Sequence, residues 1–156
     1  MVGRVRRAGW HRVGFGLHRR DADLDGHWCD LLAWSRVLPT SGCLTHLTAA
    51  ALHNLWLPLP DDLPVFVSMA KEQSRPKRPE LKVMRHTRPI LTTTRRGLRV
   101  ATVEEALLVC ARDLALLDLV VLADSALQAR LTTRDALLAS VSRRRWGAAA
   151  LTRAVG

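Results

Sequence analysis

Residues 81–105, LKVMRHTRPILTTTRRGLRVATVEE, carry the clearest signals of regular structure in this chain of 156 residues. The alternation of side chains from Leu81 to His86 predicts a strand. Ile90–Thr94 and Leu98–Ala101 flank a short basic turn and predict a β-hairpin, in which Gly97 supplies the positive φ. A small β-sheet is therefore expected in the middle of the chain.

The sequence after the hairpin predicts helices. Thr102 and Glu105 have the spacing of a capping box, in which Thr102 is the N-cap of a helix from about Val103 to Arg112. The next helix, from about Leu116 to Ala129, is apolar on most sides, and we expect it to be the central buried helix. Shorter helices are predicted from Thr132 or Thr133 to Ser142 and from Gly147 to Ala154.

Upstream of the sheet, two helices are predicted at about His27–Leu38 and Thr45–Trp56, followed by a strand at Pro64–Met69. Residues 1–22 are basic and broken by glycines, and we interpret them as a flexible arm. Residues 23–156 are expected to form a single domain. The predicted fold class is α/β (α+β), with a small mixed sheet of three to five strands and helices before and after it.

The net charge of +10 is concentrated in three blocks. Residues 71–99 contain ten Lys or Arg and only two acids. Residues 1–20 and 142–156 are also basic, and mildly acidic segments separate the blocks. Because apolar and β-branched stretches interrupt the middle block, we expect it to form one folded basic face rather than a disordered tail. An Arg-rich surface that only keeps the protein in solution is the alternative explanation.

A basic face of this kind predicts an anionic partner, either DNA or an acidic protein. Arg and Lys would contact phosphates or carboxylates, with bidentate Arg pairs as the strongest contacts. The candidate contact residues are Lys77, Arg78, Lys82, Arg85, Arg95, Arg96, Arg143, Arg144 and Arg145.

Two other functions have some support in the sequence. The helices at 27–38 and 45–56 could form a helix–turn–helix, although the second offers mostly Ala, Leu and His rather than side chains that read base edges. Asp61, Glu80 and Lys82 have the order of residues found in metal-dependent nucleases, a short pattern that also arises by chance.

No other chemistry is predicted. Cys29, Cys43 and Cys110 are widely spaced and have no metal-ligand pattern, which favours core thiols in a reducing cytoplasm. No catalytic set, metal site or cofactor motif is expected. No apolar stretch is long enough to predict a transmembrane helix, so no membrane partner is expected.

Residues 44–60, LTHLTAAALHNLWLPLP, resemble a segment of actinobacterial proteins related to the AbiEi-type antitoxins of type IV toxin–antitoxin systems. The resemblance continues through VFVSM, SRPKRP, LKVMRH, GLRVAT and TVEEALLVCARDLALLDLVVLADSAL, and covers about residues 34–154. It implies a non-enzymatic regulatory module whose partner is DNA or a cognate toxin.

The resemblance is confined to the middle domain of that family. The relatives usually have an N-terminal winged helix–turn–helix, and many continue into an endonuclease domain similar to very-short-patch-repair nucleases. Here only some 25 residues precede the first predicted helix, and the sequence stops at Gly156. Residues 105–109 read EALLV where the family often has Arg-Thr-Leu-x-Asp. Neither the DNA reader nor the nuclease therefore carries over to numbered residues of this chain. The resemblance leaves a truncated remnant of a nuclease-fused protein as an alternative interpretation.

Overall fold

The computed structural model describes residues 9–14, 16–20, 26–57, 63–142 and 147–156. Its strands are β1 Trp10–Gly14, β2 Leu17–Arg20, β3 Cys43–Leu44, β4 Val65–Ala70, β5 Leu81–His86, β6 Thr92–Arg95 and β7 Leu98–Ala101. Its helices are α1 Gly26–Ser35, α2 His46–Leu52, α3 Val103–Cys110, α4 Leu116–Gln128, α5 Arg134–Ser142 and α6 Ala148–Val155.

Five of these strands form a mixed sheet in the order β5-β4-β3-β7-β6. β4 and β5 are parallel, β3 and β7 are parallel, and the other two pairs are antiparallel. Helices lie before and after the sheet strands in the chain, so the predicted fold class is confirmed. The order also puts β5 at one edge of the sheet and β6 at the other.

Apolar residues cover both faces of the sheet. Phe66 of β4 belongs to a core cluster shared with α2, α3, α4, α5 and α6, whereas its neighbour Val67 belongs to a second cluster shared with α1 and β7. Successive strand residues point to opposite faces, so the two clusters lie on either side of the sheet. β5 follows the same rule, because Met84 packs against the first cluster and Val83 against the second.

The central buried helix is α3, and the expectation that it would be α4 was wrong. Six of the eight residues of α3 are buried. In α4 only Leu119, Leu122, Ala123 and Ala126 are buried, and Leu117 is 74% exposed. The physical reason is position: α3 contacts α2, β7, α4, α5 and α6, whereas α4 packs against α3 and α6 from outside. Apolar composition alone does not distinguish these two environments.

The capping box is only half formed. The side chain of Thr102 accepts a hydrogen bond from the backbone N–H of Glu105, as predicted. The backbone N–H of Thr102 donates to the carbonyl of Leu91 rather than to Glu105. The Glu105 side chain is instead 4% exposed and lines a cavity beside β5.

In the basic N-terminal segment, Trp10–Gly14 and Leu17–Arg20 form strands, where the sequence predicted no regular structure. β1 and β2 form an antiparallel hairpin, and Nε of Arg19 lies 2.6 Å from Oδ1 of Asp30 on α1. Gly14 permits close packing, because a Cβ there would lie 2.5 Å from the ring of Trp34. Contacts with residues of α1 therefore hold this segment. These contacts join residues that are 11 or more positions apart, so local sequence patterns do not reveal them. Residues 1–8 lie outside the described part.

Candidate nucleic-acid interface

The sheet divides the middle basic block between its two edges. Lys82 and Arg85 lie on β5, with Lys77 and Arg78 in the connection that leads to it, whereas Arg95 and Arg96 lie at the far end of the sheet order. Four strand spacings of about 4.8 Å separate the edges, or about 19 Å. The single continuous basic face expected from the sequence is therefore corrected to two separate edges.

Arg95 is engaged inside the protein. Its Nε donates to Nδ1 of His53 over 3.2 Å, and Nε2 of His53 lies 2.8 Å from the carbonyl oxygen of Ala101. A ring that accepts at Nδ1 and donates at Nε2 is neutral. Burial lowers the pKa of His53. The hydrogen bond to Ala101 raises it, and the positive charge of Arg95 lowers it. The pair joins the end of α2 to the hairpin of β6 and β7.

The other hairpin cations also contact the protein. The guanidinium of Arg96 lies 4.4 Å from the ring centroid of Trp28 on α1, a cation–π geometry. Arg99 donates to the carbonyl of Thr40 and, over 3.3 Å, to the hydroxyl of Thr92. These side chains fasten the hairpin to the rest of the molecule, although Arg96 and Arg99 remain exposed.

The opposite edge presents its charges to solvent. We call the cations of the β4–β5 connection, of β5 and of the turn after it the β5 basic edge. Its members are Lys71, Arg75, Lys77, Arg78, Lys82, Arg85 and Arg88. All are exposed except Arg78, which is half-buried. Lys71, Arg75 and Lys77 form no ion pair within the described part of the chain.

Arg85 of this edge donates from Nη2 to the carbonyl oxygen of Gln73 over 3.2 Å, and Lys82 also has an internal partner. Its Nζ lies 3.7 Å from Oδ2 of Asp113 and 5.3 Å from the ring centroid of Phe66. The Lys82 and Asp113 side chains are 52% and 38% exposed, so the pair contributes little to stability. Lys82 is therefore held in place while about half of its side chain remains exposed.

Behind Lys82 lies a buried histidine, His46, stacked on Phe66 with ring centroids 4.1 Å apart. Its Nε2 lies 3.4 Å from Oδ2 of Asp113, without the geometry of a hydrogen bond. Burial lowers the pKa of His46 to about 4. The negative charge of Asp113 opposes this shift, and the positive charges of Lys82 and Arg112 favour it. His46 is thus a neutral packing residue at pH 7.

A cavity of about 350 Å³ adjoins the β5 basic edge. Lys71 and Arg85 line it, and so does Arg112, which follows α3 and was not among the predicted contacts. The sequence does contain a signal for this wall: Glu105, Leu108, Val109 and Arg112 recur at positions i, i+3, i+4 and i+7, which is one side of a helix.

Of the nuclease pattern, the structure places Glu80 and Lys82, and these two side chains lie on opposite sides of the sheet. Oε1 of Glu80 lies close to Gly14 of β1, 3.5 Å from the position that a Cβ on this glycine would take. Lys82 points toward Asp113, on the other side of the sheet. Asp61 lies outside the described residues. Within the described ranges, no group of three His, Cys, Asp or Glu side chains is placed to hold a metal ion.

The cysteines are free thiols, and two of them are chemically quiet. Burial raises the pKa of Cys43 to about 11, against the opposing effect of Arg99. Burial also raises the pKa of Cys110. Both thiols therefore remain protonated at pH 7. Because the thiolate is the nucleophilic form, neither cysteine is a strong nucleophile.

The helix–turn–helix alternative places α2 in a DNA groove, but α2 spans only His46–Leu52 and packs against α3, β4 and β7. His46, Leu47, Ala49 and Ala50 of this short helix are buried. Arg143, Arg144 and Arg145 lie outside the described residues, so their contribution stays a prediction.

No family model, curated protein or solved structure matches this chain. In the described part of the chain, none of the helices combines the length and apolar character needed to cross a lipid bilayer.

Proposed function

We propose that this chain is a non-enzymatic, antitoxin-like regulatory module that binds DNA through the β5 basic edge. The observation that carries the proposal is the difference between the two sheet edges. Each hairpin cation contacts His53, Trp28 or Thr40, whereas Lys71, Arg75 and Lys77 of the β5 basic edge are exposed and form no ion pair within the described residues. The resemblance to AbiEi-type antitoxins supports a regulatory role, and the free thiols are compatible with the cytoplasm as its setting.

The dimensions of this edge suit a phosphate backbone. β5 has six residues, which at about 3.3 Å per residue extend about 20 Å. One strand of duplex DNA carries a phosphate for about every 3.4 Å of axis, so the edge is long enough to meet several phosphates. The exposed side chains are Lys and Arg rather than Asn or Gln, which favours backbone contact over base reading.

The salt dependence of binding tests this proposal. Fluorescence anisotropy of a labelled DNA duplex, titrated with the full chain, gives the association constant at each salt concentration. If about six cations meet phosphates, the constant falls by about 10³ between roughly 50 and 200 mM salt. A flat response would contradict the DNA proposal.

A competition experiment separates DNA from an acidic protein as the partner. Poly-L-glutamate presents carboxylates without the regular spacing of duplex phosphates. On the DNA proposal, it displaces the duplex only at a large excess of charge. Displacement at equal charge concentration would instead favour an acidic protein partner, such as a toxin.

A further inference from the structure

The cavity beside the β5 basic edge has the features of a small-molecule site. At about 350 Å³ it is at the lower end of the size range of ligand pockets. Segments far apart in the sequence build it: the end of β4, the second half of β5 and one side of α3. It is therefore a product of the tertiary fold rather than of one basic stretch.

Three cations from these separate segments line the cavity, namely Lys71, Arg85 and Arg112. Glu105 is the one carboxylate in the wall, so the fixed charges leave an excess of about two positive charges. Like charges gathered at one concave surface repel one another and attract an anion from solution. A phosphate monoester carries a charge of about −1.5 to −2 at pH 7, which matches this excess better than a single carboxylate does.

The remaining wall is mixed, with Ser68, His86 and Thr87 on its polar part and four apolar side chains beside them. Met84, Ile90 and Leu108 line the cavity beside the cations. Inorganic phosphate would leave this apolar surface in contact with water. An organic phosphate can cover it and gain roughly 25 cal/mol for each Å² of apolar surface removed from water.

We propose that this cavity binds a small organic phosphate monoester. Arg85 and Arg112 donate to the phosphoryl oxygens, Lys71 adds a third positive charge, and the organic part lies against Met84, Ile90 and Leu108. The site shares Lys71 and Arg85 with the β5 basic edge, whereas Arg112 and the apolar wall belong to the cavity and not to that edge.

Isothermal titration calorimetry with the full chain tests the proposal, with phenyl phosphate as the probe and ionic strength held constant with sodium chloride. We expect saturable binding that is tighter than the binding of inorganic phosphate. Arg112→Gln should weaken it at least about tenfold, because it removes charge-assisted hydrogen bonds. Circular dichroism establishes that the variant is folded, which its exposed position favours.

Lys77→Gln is the matched control, because Lys77 is an exposed cation of the β5 basic edge that does not line the cavity. It should bind phenyl phosphate like the native chain and bind DNA more weakly. Absence of saturable binding, equal affinity for the two phosphates, or equal loss in both variants would overturn the proposal. Because calorimetry is done without DNA, its result is independent of whether the chain binds a duplex.

Discussion

His46 adopts a conformation that few non-glycine residues take, with φ of 53° at the start of α2. Its ring is 1% exposed and stacked on Phe66. Burial without a hydrogen-bond partner at either nitrogen disfavours the charged form. The folded state therefore resists protonation of His46, which links stability to pH.

We expect the chain to lose stability as the pH falls from about 6.5 to about 4. In this range the unfolded chain binds a proton at His46 that the folded chain does not, so the free energy of unfolding decreases. The full effect of a pKa lowered to about 4 is roughly 3 kcal/mol. Urea denaturation at a series of pH values measures it.

His46→Asn is the matched variant, since Asn tolerates positive φ and does not titrate. The variant has a lower stability at pH 7 because the stacked ring is lost. Its further loss on acidification should be smaller than in the native chain, although His53 still contributes in the same direction. An identical loss in both proteins would show that His46 does not titrate as described.

At the scale of elements, the hairpin of β6 and β7 is the unit that the sequence predicts best. Arg96 and Gly97 form a two-residue turn and both have positive φ, 49° and 82°. This is the backbone that matches the twist of a two-residue hairpin. Arg95 and Arg99 then dock the hairpin on His53 and Thr40.

Gly97→Ala should destabilise the protein by about 1–2 kcal/mol. A Cβ at Gly97 meets nothing within 4 Å, so the cost comes from backbone strain alone. Gly97→Asn should cost less, because Asn enters the left-handed region more easily. Thermal or urea unfolding measures both. Equal costs for the two variants would indicate that positive φ is not the reason for glycine at this position.

The elements that sequence reasoning found are those with local signals. The strand of β5, the Gly97 turn and the Thr102 cap each depend on residues close together in the chain. β3 was missed because it is only Cys43–Leu44, and it is a strand only through pairing with β4 and β7. The same limit applies to the candidate site. The sheet order separates the basic residues, and it depends on contacts between distant parts of the chain. The approach of Arg112 to β5 depends on such contacts too.

At the scale of the whole molecule, the positive charges have two different roles. The hairpin cations hold distant segments together, and the β5 basic edge remains exposed. Charged residues on an edge strand also prevent sheets from pairing with one another, which is a second explanation for Lys82 and Arg85. Solubility and edge protection need no DNA, so only a binding measurement separates these explanations.

The most direct measurement is the salt slope of DNA binding for two variants that each remove two positive charges. Arg75→Gln with Lys77→Gln removes two positive charges from the β5 basic edge, and Arg96→Gln with Arg99→Gln removes two from the hairpin. We predict that the first pair lowers the slope of log K against log salt by about 2 and that the second leaves it unchanged. An equal change in both pairs, or a larger change in the hairpin pair, would contradict the assignment of DNA binding to the β5 basic edge.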